Sequence, residues 1–491
     1  MPLLSKLIAD SQMHPIALHG DVTREIASIT SDSRTVAPGG LYIAITGTKF
    51  DGAQYIGDAV QRGAAAIVTQ TKQPAWVHDA VLVEVADSRE AVAALAAAFY
   101  PQKPQYLFAI TGTDGKTSTA DFVRQLSQLL GHDAASIGTL GLLSEHADLN
   151  DAFPANNTSP EPILLHQTLQ QLAQAGVWHV AIEASSHGLD QKRLNNVKFA
   201  AAAFTNLTRD HLDYHGNIEA YAAAKMQLFS NVLEAQTTAI LNRDDAQFAA
   251  LNAICEQRDI AVKSFGYHAD ADYRILTVKP HAQGLDAAIL LAGKNYALSL
   301  PLYGAFQLAN MLTAIGLLHA VGIDLDALVS QLSKLQGVPG RLEKIATAKC
   351  GAPIFVDYAH TPAALENILK TLRAHTQHEL HVVFGCGGNR DAGKRPEMGR
   401  TAVQFADHVI VTDDNPRSEN PAAIRAAILQ AAPKAKEIGD RAEAIHSAVQ
   451  QLEAGDVLVV AGKGHEKTQT IGSNVIHFSD AEQIQNAVRK S

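Results

Sequence analysis

Apolar and polar positions along the chain fall into two repeating patterns. Short apolar runs at 106–110, 180–182, 201–205, 354–358, 380–384, 408–412 and 456–461 are bounded by glycine or polar residues and predict buried strands. Between them lie longer stretches with apolar residues every three or four positions, which predict amphipathic helices. This alternation predicts an α/β chain with mostly parallel sheets covered by helices on both faces. Proline and glycine punctuation divides it. Pro101 and Pro104 mark a first linker, and Gly337, Pro339 and Gly340 mark a second. The expected domains are 1–100, 101–337 and 338–491. In the first, 40–45 and 64–68 predict strands and 91–99 an alanine-rich helix. The second is read as alternating strand and helix throughout. The third is an open sheet of Rossmann-like type.

The run 106–110 leads directly into Gly112, Thr113, Asp114, Gly115, Lys116, Thr117 and Ser118. A helix pattern follows, with Phe122, Val123, Leu126, Leu129 and Leu130 on one face and Gly131 as the stop. Strand, glycine-rich turn and helix together make a phosphate cradle. Gly112 and Gly115 let the backbone turn tightly and bring its N–H groups to phosphate oxygens. The helix N-terminus adds partial positive charge. Lys116 is then placed for the terminal phosphates and the Thr117 hydroxyl for a magnesium ion. The full P-loop pattern asks for glycine at position 110, where this chain has Ile110. Every other part agrees, and an ATP site in a P-loop-type central domain is expected.

Composition narrows the picture. A chain of 491 residues exceeds one ordinary core. A net charge of −10 argues against a nucleic-acid partner, so anionic substrates must be met by local lysine, arginine and helix termini. Cys255, Cys350 and Cys386 are far apart and odd in number, which fits neither a disulfide framework nor a zinc spacing. They are expected to be inert thiols. The N-terminus lacks a basic start followed by a long apolar core, and no uncharged apolar run approaches the ~20 residues of a membrane span. A cytoplasmic monomer acting on small molecules, without nucleic acid or membrane insertion, is expected.

Three further residues carry candidate chemistry. Glu183 ends the run 180–182, and a carboxylate at the carboxyl end of a parallel strand faces the ligand crevice. His211 follows the run 201–205, and Lys225 lies in a helical stretch, 221–229. Taken singly, such a histidine is usually a satisfied polar group and such a lysine a solvated face. Magnesium prefers oxygen ligands, which Thr117 and Glu183 supply; His211 is a less typical ligand.

These residues sit in motifs that resemble the Mur ligases, ATP-dependent amide-bond formers of cell-wall precursor synthesis. The matching pieces are TGTDGKTS (111–118), EASSHGLDQKRL (183–194), FTNLTRDHLDYHG (204–216), YAAAKMQLF (221–229), GAFQLAN (304–310), PGRLE (339–343), VDYAHTP (356–362), GCGGNRDAGKRP (385–396), DDNPR (413–417) and GKGHE (462–466). They run through the second and third domains in the family's order. Asp114 and Gln307 stand where the family pattern has asparagine.

The resemblance implies that ATP phosphorylates a carboxylate of a nucleotide-linked substrate and that an amine then displaces the phosphate. It implies a UDP-binding first domain and a branch of the family that joins meso-2,6-diaminopimelate to UDP-N-acetylmuramoyl-L-alanyl-D-glutamate. Lys116, Glu183, His211 and Lys225 match the catalytic set, with Lys225 carried as a carbamate that helps Thr117, Glu183 and His211 hold Mg2+. The nucleotide contacts extend to Asn310, Arg341, Asp357 and His360. Ser31, Ser33, Thr48, Lys49, Phe50, Asn157, Thr158, Ser159, Ser185, Gln191 and Arg193 match the contacts to the UDP-sugar dipeptide. Arg390, Asp414, Asn415, Pro416, Arg417, Gly462 and Glu466 match the amino-acid pocket. Within that pocket Arg417 argues for diaminopimelate, because a guanidinium grips the distal carboxylate with two parallel hydrogen bonds. A lysine-adding relative has no carboxylate there and would leave the arginine unpaired. Folylpolyglutamate synthase shares the ATP core but needs neither the first domain nor DNPR.

Overall fold

The computed structural model describes residues 1–47, 51–71, 79–154 and 157–490, so the candidate residues Thr48, Lys49 and Phe50 lie outside the described residues. By internal contacts the chain forms two compact units, one of 1–272 with 310–328, the other of 273–309 with 329–491.

The first unit holds two sheets. The N-terminal sheet comprises β1 (Ala17–His19), β2 (Ser28–Thr30), β3 (Gly40–Ala44), β4 (Ala66–Thr69) and β5 (Val81–Glu84), in the order β1-β5-β4-β3-β2. β2 to β5 are parallel and β1 is an antiparallel edge. The helix Ser88–Phe99 covers one face; it starts three residues before the expected 91 because the Asp87 carboxylate caps the Arg89 and Glu90 amides.

The second sheet is built from β6 (Tyr106–Thr111), β7 (Ala134–Gly138), β8 (Gly141–Leu143), β9 (His179–Glu183), β10 (Ala201–Phe204), β11 (Thr238–Asn242) and β12 (Ala261–Gly266). Its order is β12-β11-β10-β6-β9-β7-β8, parallel except for β8. β9 and β10 are buried along their length and β6 from Leu107 onward, as their uninterrupted apolar runs require. β6 lies between β9 and β10, with Ile110 opposite Glu183 and Thr111 opposite Phe204. Three strands therefore end side by side, which places the loops after Thr111, Glu183 and Phe204 in one crevice.

The second unit opens with β13 (Tyr273–His281), β14 (Gly284–Leu291) and β15 (Lys294–Leu300), an antiparallel meander. The expected strand–helix alternation therefore stops after β12. The cause is legible in β14, where buried positions alternate with partly exposed ones as in a sheet with one wet face. The C-terminal sheet follows, with β16 (Glu343–Thr347), β17 (Pro353–Asp357), β18 (Leu380–Phe384), β19 (His408–Val411), β20 (Lys436–Glu437) and β21 (Val457–Ala461). Its order is β16-β17-β21-β18-β19-β20, parallel from β17 to β20. Separate apolar clusters fill its two faces, one around Phe355, Leu369 and Phe384 and the other around Ile354, Ile445 and Val460. A hairpin of β22 (Thr468–Ile471) and β23 (Asn474–His477) follows. Prolines at helix starts, Pro362 after the Thr361 cap and Pro421 after the Asn420 cap, fix the direction of two covering helices.

Candidate active site

The loop after β6 turns through Gly112 at φ 142° and Gly115 at φ 85° before the helix Lys116–Leu129 begins. A Cβ on Gly112 would lie 1.9 Å from Thr205 Oγ1, and one on Gly115 would lie 2.3 Å from Asn310 Oδ1. Glycine is required at both positions by space as well as by φ. The segment after β10 braces the loop. The Thr113 amide donates to the Asn206 carbonyl at 2.8 Å, the Asp114 amide to Asn206 Oδ1 at 2.9 Å, and the Thr205 hydroxyl to the Asp114 carbonyl at 2.6 Å. Asp114 thus holds its place through its backbone, and its side chain faces outward. An aspartate in place of the family's asparagine leaves this scaffold intact.

Two amines meet on one oxygen. Lys116 Nζ donates to the Gly112 carbonyl at 2.9 Å and to the Thr113 carbonyl at 2.8 Å, while Lys225 Nζ donates to the same Gly112 carbonyl at 2.7 Å. Lys225 comes from the helix Ile218–Gln227 and is 1% exposed, so the solvated face expected of a helical lysine is not what forms. The reason is composition: Tyr221, Ala222 and Ala224 are buried around it, and the helix has no clear polar side to turn outward. The Tyr221 ring lies 4.4 Å from Nζ. Burial, with the neighbouring Lys116 charge second, pushes Lys225 down to about 6.

Glu183 ends β9, is 2% exposed, and accepts from the Thr139 amide at 2.8 Å and the Thr139 hydroxyl at 3.2 Å. Gly138 makes room for it, since a Cβ there would lie 2.0 Å from Glu183 Oε1. Thr139 was not anticipated; its signal is its position just past the end of β7, a strand beside β9. Thr117 and Ser118 are buried in the first turn of their helix.

His211 has φ 51° and sits half-exposed at the start of a short helix. Its ring packs edge-on against His187, with centroids 4.9 Å apart, and 6.1 Å from Tyr221. His187, also unanticipated, is held below the usual histidine range by burial and then by His211 and His215. Tyr221 therefore joins the Lys225 and His211 groups, and its hydroxyl lies 3.2 Å from Thr113 Oγ1.

Five of the eleven residues assigned to the sugar-dipeptide, Thr158, Ser159, Ser185, Gln191 and Arg193, form one network beside Glu183. Ser159 Oγ donates to the Glu183 carbonyl at 2.7 Å and lies 3.0 Å from Ser185 Oγ. Arg193 reaches the Ser159 carbonyl at 2.9 Å and Gln191 Oε1 at 2.8 Å, and pairs with Glu161 at 2.9 Å. Its Nε is buried without a hydrogen-bond partner among the described residues. Thr158 touches the network through Thr139, at 3.2 Å. Asn157 is exposed, and so is Ser31 in the N-terminal domain; Ser33 is buried in a short helix capped by Asp32.

In the second unit, the loops after β18, β19 and β21 assemble a polar pocket. Arg417 adopts φ 54°, and its Nη1 donates to the Gly388 carbonyl at 2.8 Å. The Nε and Nη2 edge has no protein partner among the described residues. Gly388 has no room for a side chain, because a Cβ would lie 1.9 Å from the Pro416 carbonyl. Asn415 Nδ2 donates to Glu466 at 3.0 Å. Beneath them lies Lys463, 0% exposed, with Nζ 2.6 Å from the Thr468 carbonyl, 3.3 Å from Glu466 and 3.4 Å from Asn415 Oδ1. Lys463 lies within GKGHE and was passed over; a lysine between two glycines just after a strand was the available signal.

Gly462, at φ 117°, leaves only 2.7 Å from its Cβ position to Asp414 Oδ2. Burial raises the Asp414 carboxyl above its ordinary range against the pull of Arg441 and Lys463. Arg441 is buried and paired with Asp480 through two bonds of 2.7 Å. Arg390 is exposed at the pocket's edge. Asp357 spends both oxygens on the Leu342 and Ala359 amides, at 2.8 and 2.7 Å. Arg341 lies over the Tyr358 ring at 5.3 Å, and His360 Nδ1 is 2.9 Å from the Tyr358 carbonyl. Among the described residues, no helix is long and apolar enough to cross a membrane. Cys255 and Cys386 are buried free thiols, and Cys350 is exposed.

Three family models match in order: Mur ligase family, catalytic domain, over 25–100; Mur ligase middle domain over 110–318; and Mur ligase, glutamate ligase domain, over 340–464. The chain is 47% identical over 469 residues to a UDP-N-acetylmuramoyl-L-alanyl-D-glutamate–2,6-diaminopimelate ligase of Mesorhizobium japonicum, covering 95% of each chain. It is 47% identical over 477 residues to the enzyme of the same name from Rhizobium meliloti, covering 96% of each. A solved structure of a ligase bearing that name superposes with a TM-score of 0.75 at 33% identity, covering 98% of both chains.

Proposed function

The chain belongs to the Mur ligase family, and from that premise we propose how its own residues carry out the reaction. The protein is an ATP-dependent ligase that adds meso-2,6-diaminopimelate to UDP-N-acetylmuramoyl-L-alanyl-D-glutamate in peptidoglycan precursor synthesis. The γ-phosphoryl group passes to a carboxylate oxygen of the dipeptide, releasing ADP. The amine nitrogen then forms the new C–N bond, the C–O bond breaks, and phosphate departs with its electron pair while the amine gives up a proton.

Phosphoryl transfer depends on alignment and charge neutralisation more than on covalent help from the protein. Gly112, Thr113, Asp114, Gly115 and Ser118 present the cradle, and Lys116 turns from its carbonyls to the terminal phosphates. Asn310, Arg341, Asp357 and His360 are assigned to the rest of the nucleotide. Magnesium, held by Thr117, Glu183, His211 and Lys225, would supply added positive charge at the phosphates when bound. The fit rests on Lys225. A fully charged amine buried beside Lys116 would repel a cation, but this amine is largely neutral at pH 7. A neutral amine attacks CO2 and loses a proton, giving a carbamate whose two oxygens suit magnesium.

Ser31, Ser33, Asn157, Thr158, Ser159, Ser185, Gln191 and Arg193 are assigned to the UDP-sugar dipeptide; the Arg193 guanidinium suits its anionic groups. In the amine pocket the open edge of Arg417 takes the distal carboxylate. Asp414, Asn415 and Glu466 face the amino group, while Pro416, Gly462 and Arg390 complete the walls. We place the enzyme in the cytoplasm as a monomer.

The observation that carries this reading is the convergence of Lys116 and Lys225 on the Gly112 carbonyl. It is tested by ADP release with ATP, Mg2+ and the UDP-muramoyl dipeptide, offered diaminopimelate and lysine in parallel. Turnover with diaminopimelate well above lysine is expected. Equal use of the two amines, or hydrolysis indifferent to the dipeptide, overturns the assignment.

A further inference from the structure

At the amino ends of the C-terminal strands, opposite the amine pocket, lies a cluster that the ligase reaction does not use. His381 in β18 and His408 in β19 are direct partners in the parallel ladder. Their rings stack with centroids 4.4 Å apart and planes 22° from parallel. His408 Nε2 is 2.6 Å from Glu379 Oε2. On the other side of Glu379, His378 Nδ1 is 2.7 Å from Asp456 Oδ1, and Asp456 Oδ2 lies 3.3 Å from His381 Nε2.

His381 is 4% exposed, and its Nε2 faces the Asp456 carboxylate at 3.3 Å.

We propose that Glu379, His381 and His408 form a binding site for a divalent transition metal of the zinc class, with Asp456 orienting the His381 ring. One ligand atom from each of the three lies within 4.8 Å of the others. Tetrahedral zinc with bonds of about 2.0–2.1 Å needs them somewhat closer. His408 and Glu379 are each nearly half exposed and can rotate inward, whereas His381 is fixed by the sheet. Two imidazoles and one carboxylate suit zinc better than magnesium, which favours all-oxygen shells. A carboxylate behind a ligating histidine is the usual second support. The metal would tie β18 to β19, with Asp456 bringing in β21. These three strands carry the amine-pocket loops at their other ends.

The full-length protein, stripped with a chelator, is titrated with Zn2+ against a chromophoric competitor in excess Mg2+. One tightly bound equivalent is expected, with a Zn2+-dependent rise in Tm. His408→Ala and Glu379→Gln should each weaken that binding by about tenfold or more and abolish the Tm rise. Both should keep full ligase activity in Mg2+ without zinc, because neither position touches the reaction. Both side chains are nearly half exposed, and the activity assay reports the folded state of each variant directly. The proposal is overturned if no stoichiometric Zn2+ binds, or if both variants bind it as tightly as the unaltered protein.

Discussion

The nucleotide loop and the amine pocket solve opposite electrostatic problems. Around Gly112 two lysines share one backbone carbonyl, and the buried one gives its hydrogen bond to that carbonyl rather than to a carboxylate. In the amine pocket charges of both signs are built in: Lys463 lies against Glu466, and Arg441 is locked to Asp480. The first arrangement is completed by anions that arrive with the substrate. The second carries paired charges of its own and, beside them, the open edge of Arg417, a fixed pattern of donors and acceptors that suits a zwitterion. Fixed charges give selectivity, and incompletely neutralised ones give response to a ligand. A ligase that accepts ATP and selects one amino acid needs both.

The contrast is tested hardest at Lys225. Lys225→Met should lower turnover by about a thousandfold or more, measured as ADP release, without lowering Tm. The pH dependence has a definite sign. Lys225 in the folded protein sits near 6, below its ordinary 10.5. Between those values the unfolded chain holds more protons, so this group makes stability rise with pH across the window. Its destabilising effect is full below about 6 and gone above about 10.5. Unfolding in CO2-free buffer from pH 6 to 8 should show a flatter Tm slope in Lys225→Met. An unchanged slope would mean that the amine is not the buried, neutral group described.

Glu183→Gln should come next, with kcat reduced about a hundredfold and the Mg2+ requirement raised, because it keeps the shape but removes the anion. Arg417→Lys should raise KM for diaminopimelate by about a hundredfold and leave KM for ATP unchanged, since a point charge lacks the planar fork. The smallest effect is expected at Lys463→Met. That change should raise KM for diaminopimelate about tenfold by releasing Glu466 and Asn415, again with ATP unaffected. A changed KM for ATP in Lys463→Met would mean that the pocket lysine also acts on the nucleotide step.

How much of this could be read from residues alone varies with sequence distance. The cradle is contiguous, so glycines, lysine and hydroxyl announce themselves within seven positions, and buried parallel strands such as β18 match their apolar runs from end to end. The burial of Lys225 was not readable, because an alanine-rich helix shows no face to predict. Nor were pairs that meet only after folding: Glu183 with Thr139 across 44 positions, or Arg441 with Asp480 across 39. The meander β13–β15 was missed because its half-exposed alternation was read as part of the preceding pattern. Arg417 was chosen for its chemistry, but nothing local foretold its left-handed backbone or the carbonyl that holds it.

That carbonyl has a use in inhibitor chemistry. With Nη1 tethered to Gly388, the arginine shows visitors a single flat edge made only of donors. A diaminopimelate analogue whose far acid is capped as a primary amide would set its own N–H against one of them. The ratio of inhibition constants between the acid and its amide reads out how firmly the tether holds, and a ratio near one would mean that the side chain swings free.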